Sequence, residues 1–168
     1  MNFRNFEVLI TAILLIITLL LSILASVFWF DLNFFVGPYF LVHWFGVIAT
    51  AFIVVFNSIY YFLKRLEVKN KQTLLRIHVF GNLLAFLPIS LHFAQNVGRL
   101  SLAPERLGVG FILFLILLVS LATGVIERYH SKGKLVSFSK FVHRYSVILL
   151  FFVALLHVLK GFNILIFP

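Results

Sequence analysis

IHVFGNLLAFLPISLHFAQNVG, residues Ile77–Gly98, runs without a single Asp, Glu, Lys or Arg, yet carries a histidine near each end, His78 and His92. As a helix rising about 1.5 Å per residue, such a run covers roughly 30 Å of hydrocarbon. Four other stretches are equally free of charge: Val8–Phe30, Leu32–Leu63, Leu107–Ile126 and Tyr145–Leu159. The last is the shortest and is extended back to Phe141, with Arg144 near the interface. Lipid offers no partner to a backbone N–H or C=O, and the runs lack the alternation of a barrel strand, so each is read as a helix. Gly37-Pro38 is read as ending the first loop and starting the second helix. The expected fold is an all-α integral membrane bundle of five transmembrane helices in a single domain, residues 1–168. The expected spans are about 8–30, 38–63, 74–98, 107–127 and 141–162.

Composition supports this. Of 168 residues, 62% are hydrophobic and only 11% charged, more apolar surface than a water-soluble domain of this size can hide. There is no Cys, which excludes disulfides, iron–sulfur clusters and thiolate zinc within these residues. The formal charge of +9 is no nucleic-acid footprint, because the cations stand at helix ends. Arg4 lies before the first span, Lys64 to Arg76 lie between the second and third, and Arg128 to Arg144 follow the fourth. Arg99, Arg106 and Lys160 fall on the other side. Alternate sides thus carry eleven and three Lys plus Arg. The richer side is expected inside, giving a cytoplasmic N-terminus, an outer C-terminus and a place in the cell membrane, plasma or inner. The first apolar run continues past Ala25 to Phe30, longer than a signal-peptide core, and is read as a retained helix.

His143 and His157 repeat in the fifth span the interval between His78 and His92 in the third. Fourteen residues turn a helix through about 1400°, close to four full turns, so each pair shares a face, with a rise of about 21 Å. The third and fifth spans run in the same direction. His78 is therefore level with His143 near the inner side, and His92 with His157 near the outer side. Two level pairs of imidazoles suit two stacked six-coordinate haems, with one nitrogen on each face of each iron. Ionisable residues inside a membrane are functional candidates by default. A metal or proton pathway, and buried histidines bonded to backbone carbonyls, stay open as alternatives.

Other residues fit the same picture. Gly81 lies one turn past His78, where a side chain would block a porphyrin, and Ala85 lies midway between the two histidines of its helix. Arg76, Lys140 and Arg144 stand beside the inner pair, and Arg99 and Lys160 beside the outer pair, as partners for propionates or as ordinary interfacial cations. HWFG at His43–Gly46 echoes HVFG at His78–Gly81, and Asn57 stands where a second histidine would fall. His43 is a candidate alternative outer ligand or quinone contact. His130 lies in the basic loop and is read as solvated. Glu105 and Glu127 are isolated near interfaces, so no acid–base constellation is present and no catalytic residue is assigned.

KFVHRYSVILLFFVALLH, Lys140–His157, preceded by the apolar span ending LATGVIERY, resembles the ferric-reductase-like transmembrane haem domains. That family includes the membrane parts of NADPH oxidases and the haem subunit of the methionine sulfoxide repair system. The resemblance covers spans three to five and implies His78, His92, His143 and His157 as axial ligands of two haem b. Within these residues the family's sixth helix and flavin or nicotinamide domain have no counterpart, so a separate redox partner is expected. Respiratory cytochromes b share the two-haem ladder, but APER, residues 103–106, is only faintly similar to their quinol-site motif. The expected function is transmembrane electron transfer between a quinol or flavoprotein donor and an acceptor, as a subunit of an oxidoreductase. The alternatives are a self-contained quinone reductase or superoxide oxidase, and a haem-free membrane anchor or metal carrier.

Overall fold

A computed structural model describes residues 3–66, 70–98, 108–130 and 132–161. Five helices carry the architecture: α1 (Phe3–Ser26), α2 (Leu41–Arg65), α3 (Lys71–Val97), α4 (Gly108–Tyr129) and α5 (Lys134–Gly161), with a short hairpin, β1 (Phe35–Val36) and β2 (Tyr39–Phe40), before α2. All five helices are long and apolar enough to cross a bilayer, and the chain is an integral membrane protein with an all-α transmembrane architecture. Large side chains such as Leu19, Ile48 and Phe62 stand exposed on their helices, an arrangement lipid tolerates and water does not. The chain forms two compact units, residues 1–99 and 100–168.

In the first unit α3 packs against both α1 and α2. It runs parallel to α1. At one end Arg76 Nε lies 2.8 Å from Glu7 Oε1, a buried carboxylate. At the other end the buried Gln95 donates from Nε2 to the Ala25 carbonyl at 2.8 Å and to the Phe30 carbonyl at 3.1 Å, while its Oε1 accepts from Asn33. Ala25, Leu91 and Ala94 form a small core there, flanked by Leu21, Phe30, Leu32 and Phe45. These contacts explain why α1 stops at Ser26 rather than continuing to Phe30. Gln95 takes the carbonyl of Ala25, and Phe28 turns the chain with φ 55°. Gly98 lets α3 come this close, because a Cβ there would collide with the Ser26 carbonyl.

Gly37-Pro38 does not open α2. It is the turn of the β1–β2 hairpin, in which Phe35 pairs with Phe40 and Val36 with Tyr39. Gly37 has φ 63°, the left-handed first position a type II′ turn requires, and proline's fixed φ of about −65° suits the second. Trp44 Nε1 donates to the Val36 carbonyl at 2.7 Å and ties the hairpin back to α2.

The second unit is the antiparallel pair α4 and α5. The hydroxyls of Ser120 and Ser146 meet at 2.9 Å in the seam, and Leu117, Leu150 and Ala154 are buried with them. Gly133, at φ 113°, makes the turn, and α5 begins at Lys134 rather than Phe141. Lys140 and Arg144 therefore lie within a helix, both exposed.

Gln95 is the polar anchor of the first unit. Gln95→Leu keeps the volume but strands two carbonyls and Asn33 beside an apolar core, and should lower stability by about 2 kcal/mol. Equilibrium unfolding in mixed micelles measures this, and an unchanged midpoint would show that the anchor carries no weight.

Candidate functional site

Both α3 histidines turn toward α2. The ring of His92 lies on Gly46, where an added Cβ would come within 3.2 Å of His92 Cγ. His92 Nδ1 is 2.9 Å from the Val42 carbonyl. A carbonyl only accepts, so Nδ1 carries the proton and Nε2 keeps its lone pair. At the other end the ring of Tyr60 stacks on His78, with centroids 4.0 Å apart and planes 19° apart. Asn82 donates to the His78 carbonyl at 2.7 Å, and its amide lies 3.3 Å from His78 Nδ1. Asn57 and Asn82 exchange reciprocal amide hydrogen bonds of 3.1 and 2.9 Å. Asn57, the residue standing where a second histidine of α2 would fall, thus pairs across the α2–α3 seam.

The α5 histidines turn toward α4 in the same manner. A Cβ on Gly124 would lie 3.1 Å from His143 Cε1, and one on Gly110 would lie 3.1 Å from His157 Cε1. His143 Nδ1 is 2.9 Å from the Ser120 carbonyl, with Thr123 Oγ1 at 3.3 Å. Here too the donor must be Nδ1, which leaves Nε2 as the lone-pair nitrogen.

One rule covers the four seats. Gly46 and Tyr60 on α2, and Gly110 and Gly124 on α4, are separated by the same fourteen-residue step as the histidines they receive. Each unit thus contains a helical hairpin whose first helix carries two seats and whose second carries two histidines. Three seats are glycine; the fourth is an aromatic ring. The echo between spans two and three is therefore less informative than the one between hairpins α2–α3 and α4–α5. The seat residues were missed from sequence although their spacing is visible there, because only the histidines announced themselves chemically.

The remaining candidates divide. Arg76 is paired with Glu7, so a propionate would have to compete for it. Arg144 is exposed on α5. Arg99 and Glu105 lie outside the described residues. His43 sits with its ring centroid 5.7 Å from His92, at 61°, and 5.7 Å from Phe40, so it is the neighbour of His92 on the adjoining helix. Gly81 does not leave an open face: a Cβ there would meet Phe52 at 3.3 Å and Phe56 at 3.5 Å, so it serves α2–α3 packing. Ala85 is buried, and His130 is exposed, as expected. Glu127 is only half exposed, with Oε1 buried.

Among the described residues no three His, Asp or Glu side chains converge as a metal centre. Haem iron asks for less, one axial nitrogen from each face. His92 and His143 are each held by a bond from Nδ1 to a main-chain carbonyl, as a ligating imidazole ordinarily is. No protein-family model, curated protein or solved structure matches the chain.

Gly124→Leu should push His143 off the Ser120 carbonyl, and Gly110→Leu should displace His157. Each overpacked seat should cost about 2 kcal/mol in an unfolding titration. Stability equal to the parent protein would mean the rings are not seated on these glycines.

Proposed function

We propose that the protein is a transmembrane electron carrier, a b-type cytochrome whose His78 and His143 hold an inner haem and whose His92 and His157 hold an outer one. The observation that carries this reading is the repeated seat: two histidines at one interval on each of two helices, with His92 and His143 held through Nδ1. That bond fixes each ring plane and leaves Nε2 directed to another partner. Haem supplies reversible one-electron chemistry. The chain's own part is to fix the imidazoles at two depths, keep water from them by apolar packing and balance charge.

The asymmetry of Lys and Arg, eleven against three, supports an orientation with the N-terminus in the cytoplasm and the C-terminus outside. Arg144 and Lys140, exposed near His143 on α5, suit inner-haem propionates. A quinol or a cytoplasmic flavoprotein suits the donor's role. His43, beside His92 and Phe40, suits a quinone contact at the outer end.

Reduced-minus-oxidised spectra of single variants test the pairing. His78→Ala and His143→Ala should disturb the same haem toward high spin while a low-spin outer haem remains. His92→Ala and His157→Ala should disturb the other, and His43→Ala neither. Loss of the outer haem in His43→Ala but not in His92→Ala would make α2 a ligand helix and overturn the assignment.

A further inference from the structure

The face that α1 turns to α3 is polar through most of its length. Glu7, Thr11 and Thr18 are all buried there. Steps of four, seven and four residues keep Glu7, Thr11, Thr18 and Ser22 on one side of the helix, while Leu9, Ile16 and Leu19 stand exposed on others. The parallel register, fixed by Glu7 with Arg76 and by Ala25 with Gln95, sets Ser90 of α3 level with the stretch from Thr18 to Ser22.

Two of these hydroxyls have no hydrogen-bond partner among the described residues: Ser22 Oγ and Ser90 Oγ, the latter on a residue only 2% exposed. An unbonded hydroxyl inside hydrocarbon is costly, and water is the molecule small enough to satisfy it in a helix seam. The two ends of the column differ. At one, the buried Glu7 is paired with Arg76, whose side chain is 34% exposed and meets the surroundings. At the other, Gln95 is 1% exposed, with its amide engaged by Ala25, Phe30 and Asn33, and closes the seam.

We propose that the α1–α3 seam is a one-sided water inlet. It opens at Glu7 and Arg76, passes Thr11 and Thr18, and ends at Ser22 and Ser90, admitting water and with it protons from that face. The inlet stands whether or not the histidines bind haem.

The sequence contains no Cys, so single cysteines report cleanly. Thr18→Cys, Ser22→Cys and Ser90→Cys are close in volume to the residues they replace, and Leu19→Cys is a lipid-facing control. Silver ion reacts with thiolate, which forms only where water reaches the sulfur. Added to proteoliposomes on the Glu7 face, it should therefore modify the three column cysteines about tenfold faster than the control, or more. Added on the opposite face it should modify none of them until Gln95→Ala is introduced. Column cysteines as slow as Leu19→Cys would show a dry seam of hydroxyls bonded to their own helix carbonyls and overturn the proposal. Equal rates from both faces would overturn its one-sidedness. Ser22→Cys and Ser90→Cys lie on different helices, so failure of either to fold leaves the other to decide.

Discussion

A polar group inside a membrane has little water to fall back on, so nearly every one must find its partner within the protein, and this one requirement arranges most of the molecule. Backbone amides meet it by forming helices. Side chains meet it by gathering at the seams between helices. Gln95 spends its amide on the end of α1, Glu7 takes Arg76, Asn57 takes Asn82, and Ser120 takes Ser146. The polar residues of this chain are accordingly the map of its helix contacts. In a water-soluble protein they would mark the outside.

The histidines obey the same requirement and then go further. Each rests on a neighbouring helix, three of them over glycine, where the missing side chain lets the imidazole lie against the backbone. In His92 and His143 one nitrogen is satisfied by a main-chain carbonyl, which holds the second in a fixed direction. A packed structural histidine needs no more than that one bond. Repetition of the arrangement, at one interval on two hairpins, is what packing alone does not ask for. Tyr60 breaks the symmetry: where the other three rings lie on glycine, His78 lies against an aromatic face, and the two ends of α3 thus differ in what surrounds their histidines.

The helices were legible because absence of charge over a membrane's thickness is a one-dimensional signal. Their ends were less so. The stop of α1 at Ser26 depends on Gln95, a residue far along the chain, and the early start of α5 at Lys134 depends on Gly133. The hairpin around Gly37-Pro38 was read as a helix start because proline serves both purposes. Arg76 was read as a propionate partner or an ordinary interfacial cation, and its pairing with Glu7 was not foreseen because Glu7 lies outside the apolar run that drew attention. The histidine interval was legible, but the glycine seats opposite it were not, since glycine advertises a close approach only when its neighbour is known.

The central claim is that these histidines bind haem, and the haem content of the purified chain tests it most directly. With no Cys, attachment must be non-covalent. The account predicts two acid-extractable haem b per chain, measured by pyridine haemochrome against protein mass and showing low-spin, reducible spectra. Well-folded protein with less than one haem per chain would contradict it.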